Sequence, residues 1–163
     1  MKRSLATLLC IVTLSATVVA QRPDADRRAL PQTGDSILIT QLPDVLAQLQ
    51  QTKKKFKDLG ISSGPDDLIN VSGEGKKYEV SFRSEGEDGE VYFTKLQDFA
   101  VHNGYDIKIT ESPDPKNPSQ PVQLPILTFK VKEAEQAYEL IRAIMINVFR
   151  HKKNDHYQLI MPG

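Results

Sequence analysis

The sequence predicts an α+β domain. Its expected form is a ferredoxin-like βαββαβ sandwich, a four-stranded antiparallel sheet with helices on one face, plus an additional N-terminal helix. Three observations lead there. Four short segments after Lys77 alternate apolar and polar residues. Two segments between them carry apolar residues at helical spacing. The order of these six segments is β-α-β-β-α-β, with turn residues at the joints.

Taken in order, Met1–Ala20 comes first. Lys2 and Arg3 precede an apolar run from Leu5, and Val18 and Ala20 give the small-residue pattern that signal peptidase reads. Residues 1–20 are therefore expected to be a cleaved signal peptide, with the mature chain starting at Gln21. The run is shorter than the roughly 20 apolar residues of a spanning helix, so no stable membrane insertion is expected after cleavage. The expected location is the periplasm or the exterior. Cys10, the one cysteine, lies in this leader. The mature chain then offers no disulfide, thiolate nucleophile or cysteine metal ligand.

Residues 21–35 are polar, with Pro23, Pro31 and Gly34, and read as a flexible leader. The pattern Leu30-Pro31-Gln32-Thr33-Gly34 matches a sortase motif. It lies far from the C-terminal, apolar-tailed context in which sortases act, and is read as chance. A single α+β domain is expected over 36–163, with its βαββαβ core at about 77–163.

The first helix is predicted over Thr40–Leu59. Ile39, Leu42, Leu46, Leu49, Lys53 and Phe56 follow one helical face, and Val45 and Leu59 widen it. Thr40 serves as N-cap, the lysines 53–55 and 57 complement the helix dipole, and Gly60 stops the helix. Ile61–Gly75 is predicted as a loop because it is rich in Ser, Gly, Pro and Asp. It contains the glycosylation acceptor pattern Asn70-Val71-Ser72.

Tyr78, Val80 and Phe82 form the apolar side of the first predicted strand, and Glu85–Glu90 an acidic turn. A helix follows over Val91–Asn103, with Phe93, Leu96, Phe99 and Ala100 on one side and Asn103-Gly104 as its stop. A hairpin over Tyr78–Phe93 is the competing reading, and the helical spacing through Phe99 decides against it. The remaining strands carry Tyr105, Ile107 and Ile109, then Leu127, Phe129 and Val131, then Tyr157, Leu159 and Met161. A connection with four prolines spans Glu111–Pro121. The long helix Glu133–His151 has Ala137, Leu140, Ile141, Ile144 and Val148 on its core face.

That helix is apolar over too wide an arc for one neighbour. Tyr138, Met145 and Phe149 flank the core face, with Ala143 and Ile146 further round. Either the first helix covers this flank, or Tyr138, Met145 and Phe149 form a surface for a protein partner.

Composition narrows the function. The whole chain has 21 cations and 21 anions. Loss of Lys2 and Arg3 leaves 19 cations and a formal net charge of −2. No basic footprint for nucleic acid results. No catalytic set, cofactor motif or metal-ligand spacing emerges. His102 and His151 sit near helix C-termini and His156 on the open sheet face. The reading is thus an exported, non-catalytic binding protein with a protein partner, its oligomeric state unassigned. The alternative is an exported hydrolytic enzyme that uses carboxylates such as Glu79, with His156, on the open sheet face.

Overall fold

A computed structural model describes residues 32–52, 55–113 and 123–161. The proposed signal peptide, most of the leader, Lys53 and Lys54, and most of the proline-rich connection lie outside these residues. The chain is α+β. Seven strands form one antiparallel sheet: β1 (Ser36–Leu38), β2 (Lys55–Ser62), β3 (Ile69–Glu74), β4 (Lys77–Arg83), β5 (Ile107–Pro113), β6 (Gln123–Val131) and β7 (His156–Ile160). Their spatial order is β1-β7-β2-β3-β4-β6-β5. Three helices accompany them: α1 (Leu42–Thr52), α2 (Gly89–Asn103) and α3 (Ala134–Ala143).

The expected four-stranded sheet is corrected to seven strands, and the correction has a simple form. From β4 onward the elements run β-α-β-β-α-β as predicted. A ferredoxin-like sheet would set β7 beside β4. Here the β2–β3 hairpin is wedged between them. Two inserted strands keep the antiparallel alternation, so β7 still runs opposite to β4.

The wedge comes from residues expected to be helix and loop. Leu59, Ile61, Ile69 and Val71 are apolar at every second position and fully buried. They extend the core layer of the sheet, so the strand period prevails over the helical reading of 55–59. A bulge between Phe56 and Leu59 interrupts the β2–β3 register. Asp58 lies in it at φ 57°, a left-handed conformation that Asp adopts more readily than most residues. Helix α1 accordingly ends at Thr52. It follows a short 3₁₀ turn, Ile39–Gln41, in which the Gln41 Oε1 accepts a hydrogen bond from the Leu38 N–H at 2.8 Å.

The leader also ends earlier than expected. Gly34 N–H donates to the Leu159 carbonyl and Leu159 N–H donates to the Asp35 carbonyl, both at 2.8 Å. Gln32–Asp35 is thus tied to β7, and β1 continues that pairing.

The other strands alternate as predicted. Tyr78, Val80 and Phe82 on β4, Leu127, Phe129 and Val131 on β6, and Tyr157 and Leu159 on β7 are buried. They lie on the face against which the helices pack. Helix α2 stops at Gly104, φ 68°, as the left-handed C-cap.

Helix α3 ends in a π-helical segment, Ile144–Val148, where the Phe149 N–H reaches the Ile144 carbonyl at 3.1 Å. The wider turn sends Ile144, Met145, Val148 and Phe149 inward together, and all four are buried. Helix α1 packs on α3 and helix α2 on the π segment, which accounts for the wide apolar arc. Phe149 sits 5.8 Å from the Phe82 ring and edge-on to Tyr92 at 4.8 Å.

Met145→Ala is therefore expected to cost about 2–5 kcal/mol, the usual loss for truncating a fully buried long side chain. Chemical denaturation of the variant beside the parent protein measures it. An unchanged midpoint would mean that Met145 is a surface residue.

Candidate functional site

The most concentrated polar chemistry lies where the β2–β3 loop meets the exit of the π segment. Ser62 ends β2, and the chain turns through Ser63, Gly64 and Pro65 before Asp67 leads into β3. Asp67 is 5% exposed and Ser62 8%, the two buried polar residues of the described chain. A buried carboxylate must be well supplied with donors. Asp67 Oδ1 accepts from the Ser62 hydroxyl at 2.7 Å and the Gly64 N–H at 2.9 Å. Asp67 Oδ2 accepts from the Ser63 hydroxyl at 2.8 Å and the Ser63 N–H at 3.1 Å.

His151 completes the cluster from a distant part of the sequence. Arg150, at φ 65°, reverses the chain after the π segment. The His151 N–H then bonds the Met145 carbonyl at 3.0 Å. The ring is delivered with Nε2 at 2.7 Å from Asp67 Oδ2 and Nδ1 at 3.6 Å from Asp155 Oδ2. Asp155 closes its own turn, accepting from the Lys152 N–H at 2.7 Å. Tyr157 packs edge-on to the imidazole at 5.7 Å.

The titration of these groups follows from their surroundings. Burial works to raise the Asp67 carboxyl. The Ser62 and Ser63 hydroxyls and the Gly64 and Ser63 amides outweigh it and hold the group below the ordinary carboxylate value. The Tyr157 phenol is pushed up to about 12 by burial, then by the charges of Asp155 and Asp67. Its buried hydroxyl has no hydrogen-bond partner among the described residues.

Ser63, His151 and Asp67 are mutually close, which invites comparison with a nucleophile–base–acid relay. The connectivity differs. In a relay the imidazole stands between hydroxyl and carboxylate, one nitrogen to each. Here one carboxylate oxygen, Asp67 Oδ2, takes both the Ser63 hydroxyl and the His151 Nε2. Ser63 Oγ lies 3.3 and 3.2 Å from the two ring nitrogens, so neither nitrogen is singled out as its base. Asp67, held ionised by its donors, is a weak base toward Ser63. The geometry is that of a latch between two loops.

The sequence-predicted site residues fall elsewhere. Of the candidate partner surface, Met145 and Phe149 are buried within the chain, and Tyr138 is half-buried against the core. The two buried side chains cannot offer a partner an exposed face, because α1, α2 and the sheet cover that flank. Glu79 and His156 both lie on the helix-free sheet face and do not meet. Their strands, β4 and β7, are separated by β2 and β3, about 14 Å at the usual strand spacing. His156 instead contacts the Ser36 hydroxyl through Nδ1 at 3.3 Å. Asn70 is the second residue of β3, paired with Gly60 on one side and Ser81 on the other. Among the described residues no group of three His, Cys, Asp or Glu side chains converges to hold a metal ion.

Half of the latch had a local signal. Ser-Ser-Gly followed by Asp within five residues is a hydroxyl–amide–carboxylate turn of a familiar kind. His151, 84 residues beyond Asp67, had none.

Asp67→Asn is expected to lower stability at neutral pH by about 1–3 kcal/mol, the scale of hydrogen bonds to a buried charge. Because the folded-state carboxyl is lowered, its contribution is complete above the ordinary carboxylate range. It is lost as pH falls from about 4 through the folded value. Denaturant titrations from neutral to acid pH should show the two proteins converging. Tyr157→Phe removes an unpartnered buried hydroxyl and is expected to be neutral or to stabilise by up to about 1 kcal/mol in the same assay. Compared with known proteins, the chain matches no protein family, no curated protein and no solved structure.

Proposed function

We propose that the chain is an exported, non-catalytic binding protein that recognises another protein. The observation that carries this reading is the saturation of the buried ionisable cluster found among the described residues. Asp67 spends its acceptor capacity on Ser62, Ser63, Gly64 and His151, and so does structural work.

The surface left to a partner is the helix-free face of the sheet. Among the described residues no helix packs on it, and its side chains mix sizes and polarity. Ile160 on β7 is 41% exposed, and Ile126 on β6 is half-buried. Asn70, Ser81 and Thr128 form a half-buried polar row between them. Gly60 gives this face its closest packing. A Cβ there would stand 3.0 Å from both the Ile160 Cβ and the Leu68 Cδ1, so Gly60 lets these two apolar side chains close over the backbone. An apolar pair beside hydrogen-bonding neutral groups suits a protein surface better than a polyanion.

Three measurements test the proposal. Mass spectrometry of protein recovered from the exported fraction should show a chain starting at or near Gln21. A generic hydrolase panel should show no turnover that Ser63→Ala or His156→Ala abolishes, and a serine-directed phosphonate should leave Ser63 unlabelled. Affinity capture from the native compartment should recover a partner that the folded double variant Ile126→Asp, Ile160→Asp does not retain. Turnover lost with Ser63→Ala would replace the binding reading with a hydrolase.

A further inference from the structure

A groove runs between the C-terminal half of α2 and the π segment, lined by Lys95, Phe99, His102, Asn103, Asn147 and Arg150, with Asp98 beside them. Two independent features single it out.

The first is the backbone of Arg150. It stands one residue after Phe149, the C-cap of the π segment, at φ 65°. This is the left-handed position after a helix where glycine is the usual residue, because a Cβ there is strained. A long cationic side chain occupies a position that favours glycine. Residues with backbone strain of this kind cluster at functional sites. π-Helical turns also occur frequently at such sites.

The second feature is that the cations of the groove are not used on the end of α2. Basic residues near a helix C-terminus commonly cap its last carbonyls. In α2 backbone N–H groups take the Ala100 and Val101 carbonyls, and side chains of the last turn bond the carbonyls just before them. The His102 Nδ1 reaches the Asp98 carbonyl at 2.7 Å, and the Asn103 amide donates to the Phe99 carbonyl at 2.8 Å. The Tyr105 N–H takes the Ala100 carbonyl at 2.9 Å and the Gly104 N–H the Val101 carbonyl at 3.3 Å. The Arg150 guanidinium makes no hydrogen bond or ion pair among the described residues. Lys95 is held over the Tyr92 ring, its Nζ 5.2 Å from the centroid. A cation–π contact fixes the lysine without neutralising it.

We infer that this groove binds a small oxyanion, phosphate or sulfate, gripped by the Arg150 fork and Lys95, with Asn103 and Asn147 as neutral donors. A planar guanidinium presents paired N–H groups that match two oxygens of such an ion, and a lysine adds a point charge. Asp98 is the one opposing formal charge in the lining, and the two cations must outweigh it together with the partial negative charge of the α2 and π-segment C-terminal ends.

The test uses the isotope-labelled protein, titrated with sodium phosphate and separately with sodium sulfate at constant ionic strength, with sodium chloride as reference. Saturable shifts of the Asn103, Asn147 and Arg150 amides in either oxyanion arm, absent with chloride, are expected. Response in both arms assigns the groove to tetrahedral oxyanions in general, and response in one identifies its ion. Arg150→Gly is the decisive variant. Relief of the left-handed backbone should raise the melting temperature in oxyanion-free buffer, while affinity falls by roughly tenfold or more. Lys95→Gln, which leaves the backbone at Arg150 untouched, should weaken binding without raising the melting temperature. Shifts that match the chloride arm, or unchanged affinity in Arg150→Gly, would overturn the inference. A lower melting temperature for Arg150→Gly would overturn the argument from strain.

Discussion

Helix α3 and its π-helical continuation touch every other layer of the molecule. Helix α1 lies on one flank, α2 packs along the π segment, and β4 lies beneath. Leu140, Ile141, Ile144 and Met145 are completely removed from solvent. Helix α3 exposes Glu135, Gln136 and Glu139, but between Ile144 and Phe149 only Asn147 is exposed, an arc part of which a regular α-helix would turn outward. The π turn resolves the conflict by bringing Phe149 in beside Met145. It also decides where the chain leaves the helix, and so it places Arg150 and His151. The packing solution and the location of the polar chemistry are thus one constraint seen from two sides.

The polar latch shows how a buried charge is tolerated at a loop junction. An ionised carboxylate sheltered as Asp67 is would be strongly destabilising alone. It is sustained by hydroxyls and amides from its own turn, with His151 arriving from the segment between the π turn and β7. The donors are cheap to supply because Ser62, Ser63 and Gly64 are consecutive, and a tight turn directs their groups at a common point. What the arrangement confers is a fixed separation between the β2–β3 loop and the turn that enters β7.

Much of the fold is legible in the sequence, and the illegible parts share a cause. The strands β4, β6 and β7 carry three or two strictly alternating apolar residues, and a period of two admits little else. Helix α2 is legible through Leu96, Phe99 and Ala100. The segment from Lys53 to Leu59 is not, because lysines fit a helix end as well as a strand, and Phe56 and Leu59 stand at a helical interval across a bulge. Gly60 and Gly73 dilute the alternation of β2 and β3 into something that resembles a loop. With the hairpin unread, the remaining six segments matched a smaller sheet, and the βαββαβ order was correct in sequence while incomplete in space. The latch fails to show for a different reason: local turn chemistry marks Asp67, whereas only tertiary structure brings His151 to it. The burial of Met145 and Phe149 also depends on α1 and α2, whose positions periodicity does not encode.

One consequence lies in the place of β7. Among the described residues β1 pairs with β7 alone, and β2 borders β7 on the other side, so the sheet has a slot that β7 fills. Until that strand is available, β1 has no neighbour and β2 has a bare edge. Contacts joining residues near 36 to residues near 158 are among the longest-range in the chain and close the largest loop. The β3–β4–β6–β5 portion has its pairings within a shorter span and can assemble first. Residues around 36 are therefore expected to gain their pairing late in folding, after the β3–β4–β6–β5 portion has formed.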